Sequence, residues 1–326
     1  MEKEGTLTTL TRRGFLAATG GLGAASLFGR VGAHARAAQP FDVGYQIFGW
    51  GRYFPSAWWR GAAAVGALGY RGIEGEYTIA ELYEGREEEF VAGMRRCGVQ
   101  LAALYSSTDL ERPAHRYENR RKNLMAAAFC RRMGARMIVI GGTEATEKSP
   151  ALIKEWGREA NELGRQALDA HGVKLGVHPH VGSLIETRQD IEMAMDATDP
   201  RYFHLAPDTG HLVAGGSDPV EVFTTYARRI AHAHLKDYQR PAVPGARGTY
   251  VPLGRGAVDF PQLVQILRRS GFDGWLDVEL DGGRGADPAA VAREARDYIR
   301  GTLALSLEAG PRTSSRISTE KDQRER

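Results

Sequence analysis

The chain has 326 residues, of which 42% are hydrophobic and 25% charged, with a formal net charge of +3. These values are typical of an ordinary globular protein and exclude a fibrous or wholly disordered chain. The length suits a single (β/α)8 barrel, which takes about 250 residues or more as one domain.

Residues 1–37 have the order of an export signal. Arg12 and Arg13 precede a mildly apolar stretch at 17–29 and a small-x-small cleavage motif at 35–37. The paired arginines resemble the twin-arginine type, which is an address read by a receptor. Because the apolar stretch is too short to span a bilayer, we predict an exported, periplasmic or extracytoplasmic protein whose mature form has no membrane anchor.

The positive net charge belongs to this predicted signal. Residues 1–37 hold five basic and two acidic side chains of the 43 and 40 in the chain, so the remainder is formally neutral. The sequence therefore gives no support for nucleic-acid binding. Cys97 and Cys130 fall on predicted outer helices; an oxidising compartment permits a disulfide between them, but we expect two buried free thiols. Residues 310–326 are polar and charged, which predicts a disordered tail.

Between residues 38 and 309, short apolar segments alternate with longer amphipathic ones. The predicted strands are 44–48, 72–77, 101–106, 137–141, 174–180, 202–208, 230–236 and 275–280. The predicted helices are 87–96, 116–133, 151–170, 190–197, 219–227, 261–269 and 288–305. This order predicts an α/β fold with a single (β/α)8 TIM barrel. An open doubly wound sheet is the alternative, but its G-x-G-x-x-G motif is absent after the first strand.

Ionisable side chains cluster near the carboxyl ends of the predicted strands. Residues two apart on a strand share one face, and in this fold the chemistry lies at the carboxyl ends. The residues concerned are Glu74, Glu76, His178, His180, His204, Asp208, His232, His234, Lys236, Asp277 and Glu279. Burial of so many charges needs a metal ion or partner groups to compensate.

The candidate metal ligands are His178, Asp208, His234 and Glu279, one from each of the last four strands. Imidazole and carboxylate ligands suit one divalent ion of Mn, Co, Zn, Fe or Ni better than Ca or Mg. Any one of these histidines is also compatible with a core role. His204 and His232 lie one layer deeper and are predicted to pack or to orient the ligands.

Further residues are predicted to act on the substrate. His211 lies three residues after Asp208, in a predicted loop, and could bind a substrate oxygen or move a proton, with a hydrogen bond that stabilises the loop as the alternative. Lys236 shares the inward face and could meet a hydroxyl or an oxyanion, with an ion pair to Glu279 or Asp208 as the alternative. Trp50 could stack on a sugar ring, with core packing as the alternative. Glu74 and Glu76 complete the predicted substrate contacts, and the loop 240–255 could cover the site.

The motifs together resemble the xylose-isomerase-like TIM barrels, which include sugar phosphate isomerases/epimerases, ketose 3-epimerases and inosose dehydratases. The resemblance covers residues 41–308. It is carried by Gly-Val-His178-Pro-His180, Pro-Asp208-Thr-Gly-His211, His232-Ala-His234-Leu-Lys236-Asp237, Pro252-Leu-Gly-Arg-Gly-Ala-Val-Asp259-Phe, and Gly-Trp275-Leu-Asp-Val-Glu279. In the family the metal ligands are Glu, Asp, His and Glu from strands five to eight. The last three match Asp208, His234 and Glu279.

The first family ligand does not match, because His178 stands where most epimerases carry glutamate. The inosose dehydratases are more similar here, with histidines in strand five. The resemblance implies a metal ion that polarises a ketone and stabilises an enediolate, while a base removes the α-proton. Glu279, His180 or Glu76 could be that base, and His211 or Lys236 could protonate the leaving hydroxyl. We expect a small carbohydrate or cyclitol as substrate, and an oligomer is compatible with the sequence.

Three other functions remain to be compared with the dehydratase. A ketose or sugar epimerase or isomerase would use the same ligands and return the proton. A non-catalytic periplasmic sugar-binding barrel would bind no transition metal. Apurinic endonucleases share the barrel but need histidines from early strands, whereas the third and fourth strands end in Tyr105-Ser-Ser107 and Gly141-Gly-Thr-Glu144.

Overall fold

Eight parallel strands are hydrogen-bonded side by side in the order β6-β5-β4-β3-β2-β1-β10-β7. In the computed structural model they are β1 (Asp42–Gln46), β2 (Gly72–Glu76), β3 (Gln100–Thr108), β4 (Met137–Gly142), β5 (Lys174–His178), β6 (Phe203–Leu205), β7 (Ala233–Leu235) and β10 (Trp275–Val278). Parallel bridges between Leu205 and Ile230 and between Asp208 and His234 join β6 to β7. The predicted (β/α)8 barrel is confirmed.

The structure describes residues 41–51, 55–145, 147–243, 246–280 and 287–307. The predicted export signal at 1–37 and the predicted disordered tail at 310–326 lie outside these residues. No helix within the described ranges is both long and apolar enough to cross a membrane. Cys97 is half-buried and Cys130 buried, and both are free thiols.

Ten α-helices among the described residues pack around or above the strands. They are α1 (Pro55–Ala67), α2 (Thr78–Leu82), α3 (Glu87–Cys97), α4 (Arg116–Met133), α5 (Pro150–His171), α6 (Arg188–Asp196), α7 (Thr209–Ala214), α8 (Pro219–Tyr226), α9 (Phe260–Ser270) and α10 (Pro288–Gly301). Side-chain caps mark where these helices begin. The Ser149 side chain accepts the Leu152 backbone N–H at the start of α5, and Thr187 and Asp190 form a capping box at the start of α6.

Several predicted limits were wrong. α1 was not predicted, since its alanines and glycines give a weak amphipathic pattern. β6, β7 and β10 are shorter than predicted, so Asp208, Lys236 and Glu279 lie just beyond them, whereas β3 and β4 are slightly longer than predicted. The loop 240–255 contains part of an antiparallel hairpin, β8 (Asp237–Gln239) with β9 (Thr249–Val251).

The barrel interior holds two clusters of different character. The apolar cluster contains Ala103, Tyr105, Met137, Val139 and Ala206, from β3, β4 and the end of β6. The polar cluster, from β1, β2, β7 and β10 with the residues flanking them, contains Gln46, Glu74, His232, His234 and Asp277. A methyl group at Gly44 would come within 2.0 Å of Asp277 Oδ1, so this glycine makes room for a buried carboxylate.

Candidate functional site

Three of the four predicted metal ligands come together at the carboxyl end of the barrel. One ligand atom each from His178, Asp208 and His234 lies within 4.8 Å of the other two, and all three residues are buried. Glu279 is outside this set of three, although its Oε2 lies 2.7 Å from His234 Nδ1. The Nδ1 atom of His178 is buried and has no hydrogen-bond partner among the described residues. A buried ring nitrogen without a partner fits a cation-binding role.

Lys236 supplies a positive charge at the same place. Its Nζ lies 3.0 Å from Asp208 Oδ2, 3.2 Å from Glu279 Oε1 and 3.1 Å from His211 Nε2. The side chain is fully buried, so the ammonium neutralises two predicted ligand carboxylates from within the protein. Burial alone would raise the pKa of Asp208, but Lys236 and nearby histidines lower it below its usual range.

His211 lies over Lys236, in the short helix α7. The predicted loop position was wrong, because Asp208 caps this helix by accepting the His211 backbone N–H at 2.8 Å. Thr209 joins the helix to the strand end, since its hydroxyl bonds the Lys236 carbonyl at 2.6 Å and accepts the Lys236 N–H at 3.0 Å. Asp208, Lys236 and His211 are thus held in place relative to one another by hydrogen bonds to main-chain groups.

Tyr250 is a functional candidate that was not among the predicted site residues. The β8–β9 hairpin brings its hydroxyl to 2.8 Å from His211 Nδ1 and its ring over the Lys236 ammonium, at 5.3 Å. Asp237 anchors the hairpin and the following loop by accepting backbone N–H groups of Tyr238, Gly254, Gly256 and Val258. The glycine- and proline-rich composition of this segment did not indicate that Tyr250 would reach the site.

His180 lies beyond the end of β5, half-buried beside His211. The two rings are in contact at a tilt of 38°, with centroids 3.8 Å apart. Its Nδ1 lies 2.8 Å from the Val181 carbonyl, so Nδ1 carries the proton and Nε2 has a lone pair. Among the described residues, none forms a hydrogen bond with Nε2. Burial, His211 and Lys236 lower the pKa of His180, which keeps the ring neutral.

Glu74 lies deeper in the barrel than expected for a residue that contacts the substrate. It is fully buried, accepts a hydrogen bond from Gln46 Nε2 at 2.8 Å, and lies 3.0 Å from His234 Nε2. His232 bridges Glu74 and Asp277, at 2.9 and 3.2 Å, in the layer expected of a group that orients ligands. Although burial opposes a charged ring, Glu74 and Glu279 raise the pKa of His234 well above its usual value.

Two further predicted contacts lie to one side of the site. Trp50 is half-buried, packs edge-on against Tyr45 at 5.6 Å, and would touch a methyl group placed on Gly61 of α1. This position favours the core-packing alternative. Glu76 lines a cleft of about 370 Å³ between the ends of β1 and β2 and helix α2. Phe48, which was not predicted, lines the same cleft and packs edge-on against Tyr105 at 5.7 Å.

The sequence profile of the xylose isomerase-like TIM barrel family matches residues 62–302. The chain belongs to this family. The match covers most of the barrel, from α1 to α10.

Two curated relatives in this family are similar over most of their length. An inosose dehydratase of Clostridium botulinum is 29% identical over 260 residues, which cover 71% of this chain and 85% of the relative. An inosose dehydratase of Clostridium beijerinckii is 32% identical over 230 residues, covering 62% and 76%. With these relatives, the family barrel described here is that of an enzyme in the isomerase/epimerase or dehydratase class.

A solved structure shares the family barrel at lower identity. The crystal structure of the IolI protein with a bound zinc atom superposes with a TM-score of 0.67 at 16% identity, over 81% of this chain and 98% of that one. At this identity the likeness shows the fold alone.

Proposed function

We propose that this chain is a metal-dependent lyase that dehydrates a small keto-cyclitol or keto-sugar, as the inosose dehydratases to which it is similar do for inosose. The observation that carries the proposal is the histidine pair at the end of β5. By the family resemblance, His178 stands where most epimerases carry the glutamate of their acid–base pair, and His180, two residues later, is a neutral imidazole. This arrangement favours removal of one proton over exchange between two carboxylates.

The donor set fits a divalent ion. His178, Asp208, His234 and Glu279 would hold it, with two imidazoles and two carboxylates at the ends of β5, β6, β7 and β10. The zinc atom bound by the IolI protein, which has the same barrel, is consistent with this assignment. When bound, such an ion would supply Lewis-acid polarisation of a substrate ketone and the hydroxyl beside it.

We assign removal of the α-proton to His180. Glu279 contacts both His234 and Lys236, whereas His180 is half-buried and its Nε2 carries a lone pair. The neutral ring takes the proton from the substrate carbon, and the electron pair of that C–H bond becomes the new carbon–carbon double bond. The Nδ1–H bond to the Val181 carbonyl holds the ring in the tautomer that this step needs.

We assign protonation of the leaving hydroxyl to the His211–Tyr250 pair. As the C–O bond breaks, the departing oxygen takes a proton from this pair and leaves as water. Lys236 donates to His211 Nε2, and His211 then donates from Nδ1 to the tyrosine hydroxyl, so the pair is connected to a buried ammonium. Lys236 itself is fully buried, and its role is to hold Asp208, Glu279 and His211 in place.

The test is incubation of metal-loaded protein with inososes and free keto-sugars in deuterated water. We expect a new enone absorbance with an inosose, because dehydration conjugates the double bond with the ketone. Deuterium in recovered or isomerised ketone without enone would show epimerase or isomerase chemistry instead. Absence of both with every ketone would contradict the mechanism.

We also propose that the protein acts outside the cytoplasm, on the strength of the twin-arginine motif at Arg12 and Arg13. Free sugars or cyclitols are then more plausible substrates than phosphosugars. Cell fractionation of the full chain and of a variant with both arginines changed to lysine tests this. We expect the variant to stay in the cytoplasm, and equal export of both proteins would contradict the proposal.

A further inference from the structure

A continuous series of carboxylate and imidazole groups runs beneath the candidate metal site. Asp277 Oδ2 lies 3.2 Å from His232 Nε2, which lies 2.9 Å from Glu74 Oε2, and this oxygen lies 3.0 Å from His234 Nε2. All four side chains are fully buried. Gln46 donates to the other Glu74 oxygen at 2.8 Å. Glu74 is therefore the junction of the network, with three side chains directed at its carboxylate.

The two nitrogens of His234 face different partners. Nε2 faces Glu74, whereas Nδ1 faces the candidate site, 2.7 Å from Glu279 Oε2 and 3.8 Å from Asp208 Oδ2. A histidine ligand commonly donates its other N–H to a carboxylate, which fixes the ring tautomer and orientation. The position of Glu74 meets this requirement.

We propose that Glu74 is a positioning residue: it accepts the Nε2 proton of His234 and so presents Nδ1 to the metal ion. This inference rests on the proposed metal-dependent function and gives Glu74 a role different from the predicted substrate contact. It also accounts for the buried location of Glu74, because a substrate cannot reach a side chain that has no exposed surface. His232 and Gln46 hold the carboxylate by its two oxygens.

A buried carboxylate is costly unless its partners compensate for lost hydration. Here Gln46 donates to one oxygen, while His232 and His234 face the other. Replacing Glu74 by leucine keeps a similar volume but leaves His234 Nε2 and Gln46 Nε2 without their acceptor. Replacing it by glutamine keeps an acceptor oxygen and removes only the charge. The two variants thus separate hydrogen-bond acceptance from charge.

The first measurement is Zn²⁺ affinity of metal-stripped protein by calorimetry. Outer-shell substitutions typically weaken metal affinity 10- to 100-fold. We expect a loss of about this size for Glu74→Leu and a smaller loss for Glu74→Gln. Asp109→Asn is the matched control, because Asp109 also pairs with a histidine, His115 at 2.6 Å, but outside the barrel interior. We expect wild-type affinity for this control.

The second measurement detects the Nε2 proton of His234 by NMR. In ¹⁵N-labelled, Zn²⁺-loaded protein, the Nε2–H of His234 should exchange slowly with solvent, and its signal is identified by its loss in His234→Gln. We expect the slow signal to persist in Glu74→Gln and to disappear in Glu74→Leu. If Glu74→Leu does not fold, Glu74→Gln carries the affinity test, with a loss of a few-fold expected.

Three outcomes overturn the inference in distinguishable ways. If wild-type protein binds Zn²⁺ and both Glu74 variants bind it equally well, Glu74 is not a positioning residue, while the proposed function stands. If wild-type protein binds two ions per chain and Glu74→Leu loses one, Glu74 is itself a ligand; one ligand atom each from Glu74, His232 and His234 lies within 4.8 Å of the other two. If wild-type protein binds none, the proposed function fails together with the inference.

Discussion

His204 and His232 are both buried in the barrel interior, yet their environments are opposite. His232, in the polar cluster, faces Glu74 and Asp277, and these carboxylates raise its pKa despite burial. His204 lies two residues before Ala206 of the apolar cluster. Burial, with Lys174 and Arg229 nearby, lowers its pKa to about 4. The comparison teaches that burial alone does not make a histidine functional in this barrel, whereas the two carboxylate partners of His232 place it in the network beneath the candidate metal site.

The largest effect is expected from His180→Gln, because His180 is the proposed base. Loss of a general base typically slows a reaction 100- to 10,000-fold. We expect a fall in kcat of that order with unchanged Zn²⁺ affinity, measured by the enone assay and calorimetry. The control is His115→Gln, an exposed histidine outside the barrel interior, which should keep its activity. A kcat within three-fold of wild type, roughly 0.7 kcal/mol in barrier, would remove His180 from the mechanism.

The second effect is expected from Lys236→Met, because it leaves Asp208 and Glu279 buried without their ammonium partner. Removing one member of a buried ion pair costs about 3–5 kcal/mol. Urea unfolding in the presence of a chelator measures this. The same substitution at Lys122, whose half-buried Nζ donates to the Ser107 carbonyl, should cost less, about 1.5–3 kcal/mol. Equal losses at the two lysines would contradict the charge balance described for the site.

The third effect is the dependence of stability on pH that the buried His204 causes. His204 has a lower pKa folded, about 4, than unfolded, about 6.5, so the unfolded chain binds its proton more readily between these values. Its contribution to stability is therefore complete above pH 6.5 and is lost as pH falls towards 4, by at most roughly 3 kcal/mol. We expect His204→Gln to flatten this acid loss, as measured by urea unfolding at several pH values. An unchanged acid slope would show that His204 does not titrate as described.

The smallest effects compare near-isosteric substitutions in the two clusters. Met137→Leu conserves volume in the apolar cluster and should cost less than about 1.5 kcal/mol. Gln46→Leu removes a donor to the buried Glu74 carboxylate and should cost about 1–3 kcal/mol. Unfolding both variants in denaturant measures the free energy of unfolding that each substitution removes. A greater loss for the methionine variant would reverse the expected difference between the clusters.

The sequence predicted the fold and the strand faces because both depend on local periodicity. Residues two apart share a face, which was enough to place Asp208, His234 and Lys236 together. Partners across the closed barrel were harder to predict. In the order of strands around the barrel, only β1 and β10 separate β2 from β7. Glu74 of β2 therefore meets His232 and His234 of the β7 segment inside the barrel, although these residues are far apart in the sequence. No sequence spacing encodes that distance, so Glu74 was predicted to face the substrate.

Tyr250 illustrates a second limit of the sequence. Its position depends on a hairpin whose shape is set by Asp237, which accepts backbone N–H groups from residues up to 21 positions later. A methyl group at Gly256 would come within 2.2 Å of Asp237 Oδ1, so the glycine and the aspartate require each other. Such a loop follows from tertiary contacts, and the sequence predicted only that it could cover the site.

The most direct test of the account is a crystal structure of the protein soaked with Zn²⁺, with the ion located by anomalous scattering. We predict one ion, within about 2.0–2.2 Å of ligand atoms of His178, Asp208, His234 and Glu279. The His234 ligand atom should be Nδ1, with Nε2 still facing Glu74. An ion elsewhere, or no ion at saturating Zn²⁺ with the Lys236 ammonium still between Asp208 and Glu279, would contradict the central claim.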